Sequence, residues 1–166
     1  AKIPWSRELQ FSQNVQLPVE VQPTIGAYGA VLSASFVKEN SAAGMRYFVV
    51  SRMETSMPNK NDYKPGNSYY NSLYVSKHLM FPWLKGDWTA ILQLRNEIRK
   101  SDKIEDRLKE SSGSNLLFIS PQVNYVLKEQ WYLSGMADFP VYQNFNGTQL
   151  GASPGFTFIL SRTFRL

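Results

Sequence analysis

Apolar and polar residues alternate at every second position along most of this chain. In the segment Asp87–Arg99, most even positions are apolar and most odd positions are polar or charged, as in the run Leu92, Gln93, Leu94, Arg95. Successive side chains of an extended strand point to opposite sides. The pattern therefore predicts a strand with one apolar face and one face suited to water.

The same period of two predicts about eight strands in the whole chain. The predicted strands cover residues 8–19, 24–37, 45–53, 69–82, 87–99, 116–127, 131–142 and 155–166. Each is long enough for the roughly 9 to 11 residues that a tilted strand needs to cross a bilayer. Gly, Pro, Asn and Ser interrupt the chain often, so no long helix is predicted, and residues 101–111 are expected to form a solvated loop.

The links between these strands alternate in length. Short links are predicted near 85–87 and 128–130, with a somewhat longer one near 39–44, and long links at 55–68, 100–115 and 144–154. Only the first link, near 20–23, is short where the alternation requires a long one. Tight periplasmic turns and long outer loops are typical of outer-membrane barrels. We therefore expect one domain over 1–166, an all-β, antiparallel up-and-down transmembrane β-barrel with both chain ends at the periplasmic side. It has about eight strands, or is the C-terminal part of a larger barrel.

Aromatic residues accompany the short links. The motif LKGDW at 84–88 recurs as LKEQW at 127–131, so a Trp opens the strand after each link. Tyr and Trp rings favour the membrane interface because they are apolar at one end and hydrogen-bond at the other. We expect an aromatic belt of Trp83, Trp88, Tyr125 and Trp131. The alternative is that each Trp packs in a core beside its hairpin.

The last third of the chain carries a resemblance to a known group. It contains SPQVNY at 120–125, DFPVYQ at 138–143, NGTQL at 146–150 and an alternating final segment at 155–166. These residues resemble the C-terminal strands of bacterial outer-membrane β-barrel proteins, in particular the porin-like transporters related to MetA-type phenol-degradation and fatty-acid-uptake barrels. The resemblance implies location in the bacterial outer membrane. Such chains usually end in an aromatic residue, whereas this one ends in Leu166.

If the apolar positions face lipid, the opposite positions line an enclosed interior. The predicted lining residues are Glu8, Arg46, Arg52, Arg95, Glu97, Arg99 and Asp138, with Gln10, Asn14, Ser76, Gln93, Gln122, Asn124 and Ser134 around them. Two interpretations remain open. The charges pair into a plug that fills a narrow barrel, or the four arginines bias a wider constriction toward anions.

Two cations oppose this scheme, because Lys77 and Arg162 fall on faces assigned to lipid. A charge in the middle of a bilayer costs about 2 to 4 kcal/mol, and less near the interface. Arg162 is close enough to the end of its strand to extend its charge into water. Lys77 leads us to expect a bulge or a shifted register in its strand.

Composition excludes several kinds of chemistry. The chain has no cysteine and a single histidine, His78, which excludes disulfides, thiolate zinc sites and multi-histidine metal sites. No cofactor or metal is predicted. The net charge of +5 is scattered along the chain rather than clustered, so nucleic-acid binding is not predicted. Ser76 and His78 share a strand face as a lipid hydrolase requires, but no orienting acid accompanies them, and an enzyme is not predicted.

The sequence thus favours an outer-membrane channel or passive transporter component for an unidentified small solute. Its expected partners are membrane lipid and, as a further possibility, another chain or an oligomer. Two alternatives remain: a soluble calycin-like barrel that binds a small apolar ligand inside, and a lipid-modifying hydrolase of the outer membrane. The soluble barrel requires the opposite arrangement, with the apolar positions inside.

Overall fold

A computed structural model describes residues 2–3, 11–12, 15–16, 26–83, 85–128 and 130–164. Its strands are β1 (Phe11–Ser12), β2 (Val15–Gln16), β3 (Gly29–Asn40), β4 (Met45–Ser56), β5 (Tyr63–Lys64), β6 (Ser68–Leu79), β7 (Asp87–Arg99), β8 (Lys103–Ile104), β9 (Arg107–Leu108), β10 (Ser114–Leu127), β11 (Trp131–Phe145) and β12 (Gly155–Arg162). One 3₁₀ turn, Ser41–Ala43, joins β3 to β4. None of the described residues forms a helix with the length and apolar character needed to cross a membrane.

Seven of these strands form one antiparallel sheet in the order β12-β11-β10-β7-β6-β4-β3. Each long strand pairs with the next long strand along the chain, so the sheet is a simple meander. The prediction of an all-β antiparallel fold is confirmed. Short links (41–44, 80–86, 128–130) lie at one end of the sheet and long links (57–67, 100–113, 146–154) at the other. We call these the short-turn end and the long-loop end.

The register of the strands gives the sheet two chemically different faces. We call apolar face the side that carries Leu92 and Leu94, and polar face the side that carries Gln93 and Arg95. Along the pairing, Leu94 is level with Leu73 and Ile119, whereas Gln93 is level with Tyr74 and Ser120. The apolar face includes Leu32, Phe36, Val49, Leu73, Leu92, Leu94, Ile119, Val123, Phe156 and Phe158.

At the centre of the sheet, side chains of the apolar face are more exposed to solvent than those of the polar face. At the centre of the sheet, Leu92 and Leu94 on the apolar face are 51% and 41% exposed. On the polar face, Ser120 is 1% and Phe118 is 6% exposed. At the centre of the sheet the apolar side chains are therefore exposed, whereas these two residues of the polar face are buried.

The described sheet is open, because no pairing joins its edge strands β3 and β12. Since every neighbouring pair is antiparallel, the two edges of a seven-stranded sheet run in the same direction. A single bridge extends the free edge of β3 at the long-loop end: Lys2 N donates to Gly29 O (2.7 Å) and Gly29 N donates to Lys2 O (3.0 Å). This bridge is also antiparallel.

The predicted strand over residues 8–19 is wrong. Within it, β1 and β2 pair with each other in antiparallel fashion, with Phe11 opposite Gln16 and Ser12 opposite Val15. Two segments paired in this way cannot belong to one extended strand. The count of about eight strands therefore becomes seven in the described sheet.

The expectation of a solvated loop at 101–111 is also wrong in part. The segment contains the β8–β9 hairpin, which pairs with β5 from the preceding long link in a three-stranded sheet. Glu105 and Asp106 form its turn with φ of 49° and 60°. Two consecutive residues with positive φ are typical of the tight turns whose twist matches a hairpin. Two of the long links thus fold together.

Candidate functional site

The centre of the polar face is an ion cluster around Arg95. Its Nη2 donates to Oδ2 of Asp138 at 2.7 Å, bringing together β7 and β11, which lie on either side of β10. Its Nε lies 2.9 Å from Oε1 of Glu97, although this N–H is not directed at the oxygen and makes no hydrogen bond. Asp138 also accepts a short hydrogen bond from the Ser120 hydroxyl. The Arg95 guanidinium lies 4.4 Å from the centre of the Phe118 ring.

The other predicted arginines also meet acids. Arg46 pairs with Glu39 across the β3–β4 hairpin, and Arg52 pairs with Glu54 two residues along the same strand. Lys2 reaches the same Glu54. Arg99 pairs with Asp102, so the four arginines Arg46, Arg52, Arg95 and Arg99 each have a carboxylate partner. This arrangement compensates the positive charge on which an anion-selective constriction depends.

Three of these carboxylate partners were not predicted from the sequence: Glu39, Glu54 and Asp102. Glu54 has the same parity as Arg52 along β4 and could have been found from the alternation. Glu39 lies beyond the predicted strand, which ended at residue 37, and its position opposite Arg46 depends on the register of the hairpin.

Neutral polar residues complete the polar face by bonding to one another. Gln93 Nε2 donates to the Tyr74 hydroxyl at 2.8 Å. Gln122 Nε2 donates to Asn124 Oδ1 at 2.8 Å and to Ser134 Oγ at 3.1 Å. These side chains form a hydrogen-bonding surface suited to water and polar solutes. Glu8, Gln10 and Asn14, which we also predicted to line the interior, lie outside the described residues.

Ser76 and His78 lie on the polar face near the short-turn end, level with Ile91 and Thr89 of β7. The Ser76 hydroxyl donates to the backbone oxygen of Arg46 at 3.5 Å. None of the hydrogen bonds between described residues joins Ser76 to His78, so the geometry gives no nucleophile and base in contact. Among the described residues, no group of three or more His, Asp or Glu side chains could hold a metal ion.

The four residues predicted to form the aromatic belt all lie at the short-turn end. Trp88 and Tyr125 stack with ring centres 4.4 Å apart, and the Tyr125 hydroxyl donates to the backbone oxygen of Lys85 at 2.9 Å. Trp83, in the neighbouring link, is 77% exposed and contacts Phe81. Trp131 begins β11 on the apolar face.

Lys77 and Arg162 both lie on the apolar face, as their parity requires. The predicted bulge or register shift near Lys77 is wrong, because β6 pairs with both neighbours without interruption. Lys77 instead lies two residues from the short-turn end of β6, and β12 ends at Arg162. Both cations therefore lie near the short-turn end, as the aromatic residues do.

A second cluster, which was not predicted from the sequence, lies at the long-loop end. The Asp102 carboxylate is 2% exposed and accepts hydrogen bonds from the Tyr63 hydroxyl (2.6 Å), Gly66 N (2.8 Å) and Arg99 Nη2 (2.9 Å). Its own backbone N donates to Ser112 Oγ at 3.0 Å. We call these residues the Asp102 clasp.

The clasp keeps its carboxylate ionised. Burial alone raises the pKa of Asp102, but the hydrogen bonds from Tyr63 and Gly66 and the charge of Arg99 outweigh it. The pKa of Asp102 is therefore below its ordinary value. A charged anchor thus ties two long links to the end of β7.

Comparison with protein families, with curated proteins and with solved structures finds no match to this chain.

Proposed function

We propose that this sheet is part of the wall of a transmembrane β-barrel of the bacterial outer membrane, and that its polar face lines a passive channel or transporter path for small solutes. The observation that carries the proposal is the exposed apolar face, which extends from Leu32 on β3 to Phe158 on β12. Soluble monomers seldom expose a continuous apolar surface larger than a few hundred Å². Hydrocarbon is the environment that such a surface fits.

The height of the apolar face supports the same proposal. It runs from the aromatic residues of the short-turn end to a row of polar residues that bond in pairs, Ser51 with Asn71 (2.7 Å) and Asn96 with Asn115 (2.9 Å). One further apolar row, with Leu32, Met53 and Ile98, lies beyond it. Along β7, Trp88 and Asn96 lie eight residues apart. That is about 26 Å of strand, or about 20 Å along the membrane normal at a tilt of about 40°. The apolar band of outer-membrane barrels is about 25 Å tall.

A barrel needs more strands than the described sheet contains. In lipid the free backbone groups of β3 and β12 must find partners, because an open edge is not tolerated there. The two edges run in the same direction, so closure by antiparallel pairing at both requires an odd number of further strands. These strands come from outside the described sheet, in this chain or another. The antiparallel bridge between Lys2 and Gly29 supports a partner of this direction along β3.

The alternative of a soluble ligand-binding barrel requires the opposite arrangement of faces. It places the Leu92 and Leu94 side chains inside and the Arg95 cluster in bulk water. Their 51% and 41% exposure, and the crowding around Ser120, favour the membrane wall instead.

The channel is tested by conductance across a planar lipid bilayer. Insertion of the protein is expected to produce discrete current steps, since the polar face offers a hydrogen-bonding path for water and ions. Replacing Asp138 with Asn removes one negative charge from the Arg95 cluster and is expected to shift the current toward anions. Replacing Arg95 with Gln is expected to shift it toward cations. A unit charge about 6 Å from a permeating ion changes the energy of that ion by about 0.7 kcal/mol in water. Each substitution is therefore expected to change the ratio of anion to cation current by at most about threefold.

Lys85→Gln is the matched control, because it removes a charge from a link at the short-turn end rather than from the polar face. It is expected to leave the ion preference unchanged. Insertion without current, or equal shifts in all three variants, contradicts the assignment of the polar face to a solute path.

A further inference from the structure

A shallow groove runs along β11 on the apolar face. The groove has a volume of about 430 Å³ and is lined on this face by Pro121, Val123, Gly135, Ala137, Phe156 and Phe158. The pairing places Gly135 between Val123 of β10 and Phe158 of β12. A Cβ built on Gly135 meets no atom within 4 Å. Because glycine has no side chain, the surface is lower at Gly135 than at Val123 and Phe158 on either side of it. Phe158 is 70% exposed.

A cation lies at the short-turn end of the same strands. Arg162 closes β12 opposite Trp131, and its guanidinium lies 4.9 Å from the centre of the Trp131 ring and 4.7 Å from that of Phe164. It forms no ion pair with the acids in the part of the chain that the structure describes. The two rings hold a positive charge at the edge of the apolar face without neutralising it.

The spacing of these two features matches one kind of ligand. Arg162 and Phe156 are six residues apart on β12, which is about 20 Å of strand. A phospholipid presents a phosphate and, directly below it, an acyl chain of comparable length. A phosphate at Arg162 places that chain over Leu133 and along the groove at Gly135.

We propose that the outer surface of β10, β11 and β12 binds one phospholipid with a net negative headgroup. Its phosphate contacts Arg162 and one acyl chain occupies the groove over Gly135. The inference rests on the proposed membrane location and adds to it a defined lipid site. Charge selects the headgroup, because a guanidinium that meets no acid among the described residues favours a lipid whose phosphate is not balanced by an ammonium group.

The site is tested by native mass spectrometry of the detergent-solubilised protein titrated with equal amounts of phosphatidylglycerol and phosphatidylcholine. The wild-type protein is expected to retain one phosphatidylglycerol with a preference of about fivefold. Arg162→Gln is expected to abolish this preference. Lys77→Gln, which removes another cation from the same face on β6, is expected to keep it.

The groove is tested separately by Gly135→Ala and Gly135→Leu. The Cβ of either residue meets no atom within 4 Å, so the strand is expected to form normally, as circular dichroism can verify. Retention of either lipid is expected to fall stepwise, by about threefold or more for the leucine variant. Equal retention of the two lipids by the wild-type protein, or unchanged retention in Gly135→Leu, overturns the proposal. Because this measurement is made in detergent, its outcome is independent of conductance and so separates failure of the lipid site from failure of the channel.

Discussion

Replacing Asp102 with Asn is expected to loosen the long-loop end and to lower its local stability by about 3 kcal/mol. The buried carboxylate accepts hydrogen bonds from the Tyr63 hydroxyl, Gly66 N and Arg99. An amide has the same shape, but one of its two terminal atoms is a donor and it carries no charge. At least one buried donor then loses its partner, and Arg99 loses its counter-ion.

Amide hydrogen exchange measures this effect locally, in peptides that cover residues 57–67 and 100–113. Gly66 N is the most direct reporter, because its own hydrogen bond goes to Asp102 Oδ1 at 2.8 Å. Asp106→Asn is the matched control: its side chain is fully exposed, and Asn tolerates its φ of 60°. Faster exchange in both variants, or in neither, contradicts a specific role of the Asp102 clasp.

The clasp also predicts a pH dependence. The folded-state pKa of Asp102 is lowered, so its contribution is complete above the unfolded pKa of about 4 and disappears as the pH falls through the lower folded value. After correction for intrinsic exchange rates, the protection of the amides in these two links is expected to be constant from pH 5 to 8 in the wild-type protein. It is expected to fall only below about pH 4. The Asp102→Asn variant is expected to lack that acid transition.

Replacing Val49 with Arg is expected to cost about 2 to 4 kcal/mol in a bilayer, the cost of a cation on the lipid side near its midplane. Val49 lies within β4 on the apolar face, opposite Phe36, and is 40% exposed. The next residue after Phe36, Val37, points to the polar face and is 51% exposed. Val37→Arg makes the same substitution at nearly the same depth, and its expected cost is below about 1 kcal/mol.

Denaturant unfolding in phosphatidylcholine vesicles, followed by tryptophan fluorescence, compares the two variants. A large difference between them is the signature of lipid on one face only. In a protein surrounded by water, two exposed valines replaced by arginine are both tolerated. If Val49→Arg and Val37→Arg lower the free energy of unfolding equally and only slightly, the assignment of the apolar face to lipid is contradicted.

The alternation predicted the main strands well because it is a property of each strand alone. The limits of β7 agree with the prediction, and the apolar positions of β10, such as Ile119 and Val123, share a face with Leu92 as expected. The same signal failed over residues 8–19, where alternation continues through two short segments that pair with each other. A period of two does not say whether an extended segment continues or reverses.

The polar face was only partly predictable. Parity placed Arg95, Glu97 and Asp138 on one side, but the contact between Arg95 and Asp138 spans an intervening strand. Burial of Asp102 gave no sequence signal at all, because its segment has the charged composition of a solvated loop. Only the meeting of two long links removes that carboxylate from water.

By itself, the sequence determined the chemical character of each strand face and the alternation of short and long links, because the pleat of the backbone assigns side chains to sides locally. The tertiary structure alone decided which face is exposed, which acid meets each arginine, and that the described sheet remains open between β3 and β12. These properties depend on register between strands and on contacts between distant links, which are set by packing across the whole sheet rather than by neighbours in the chain.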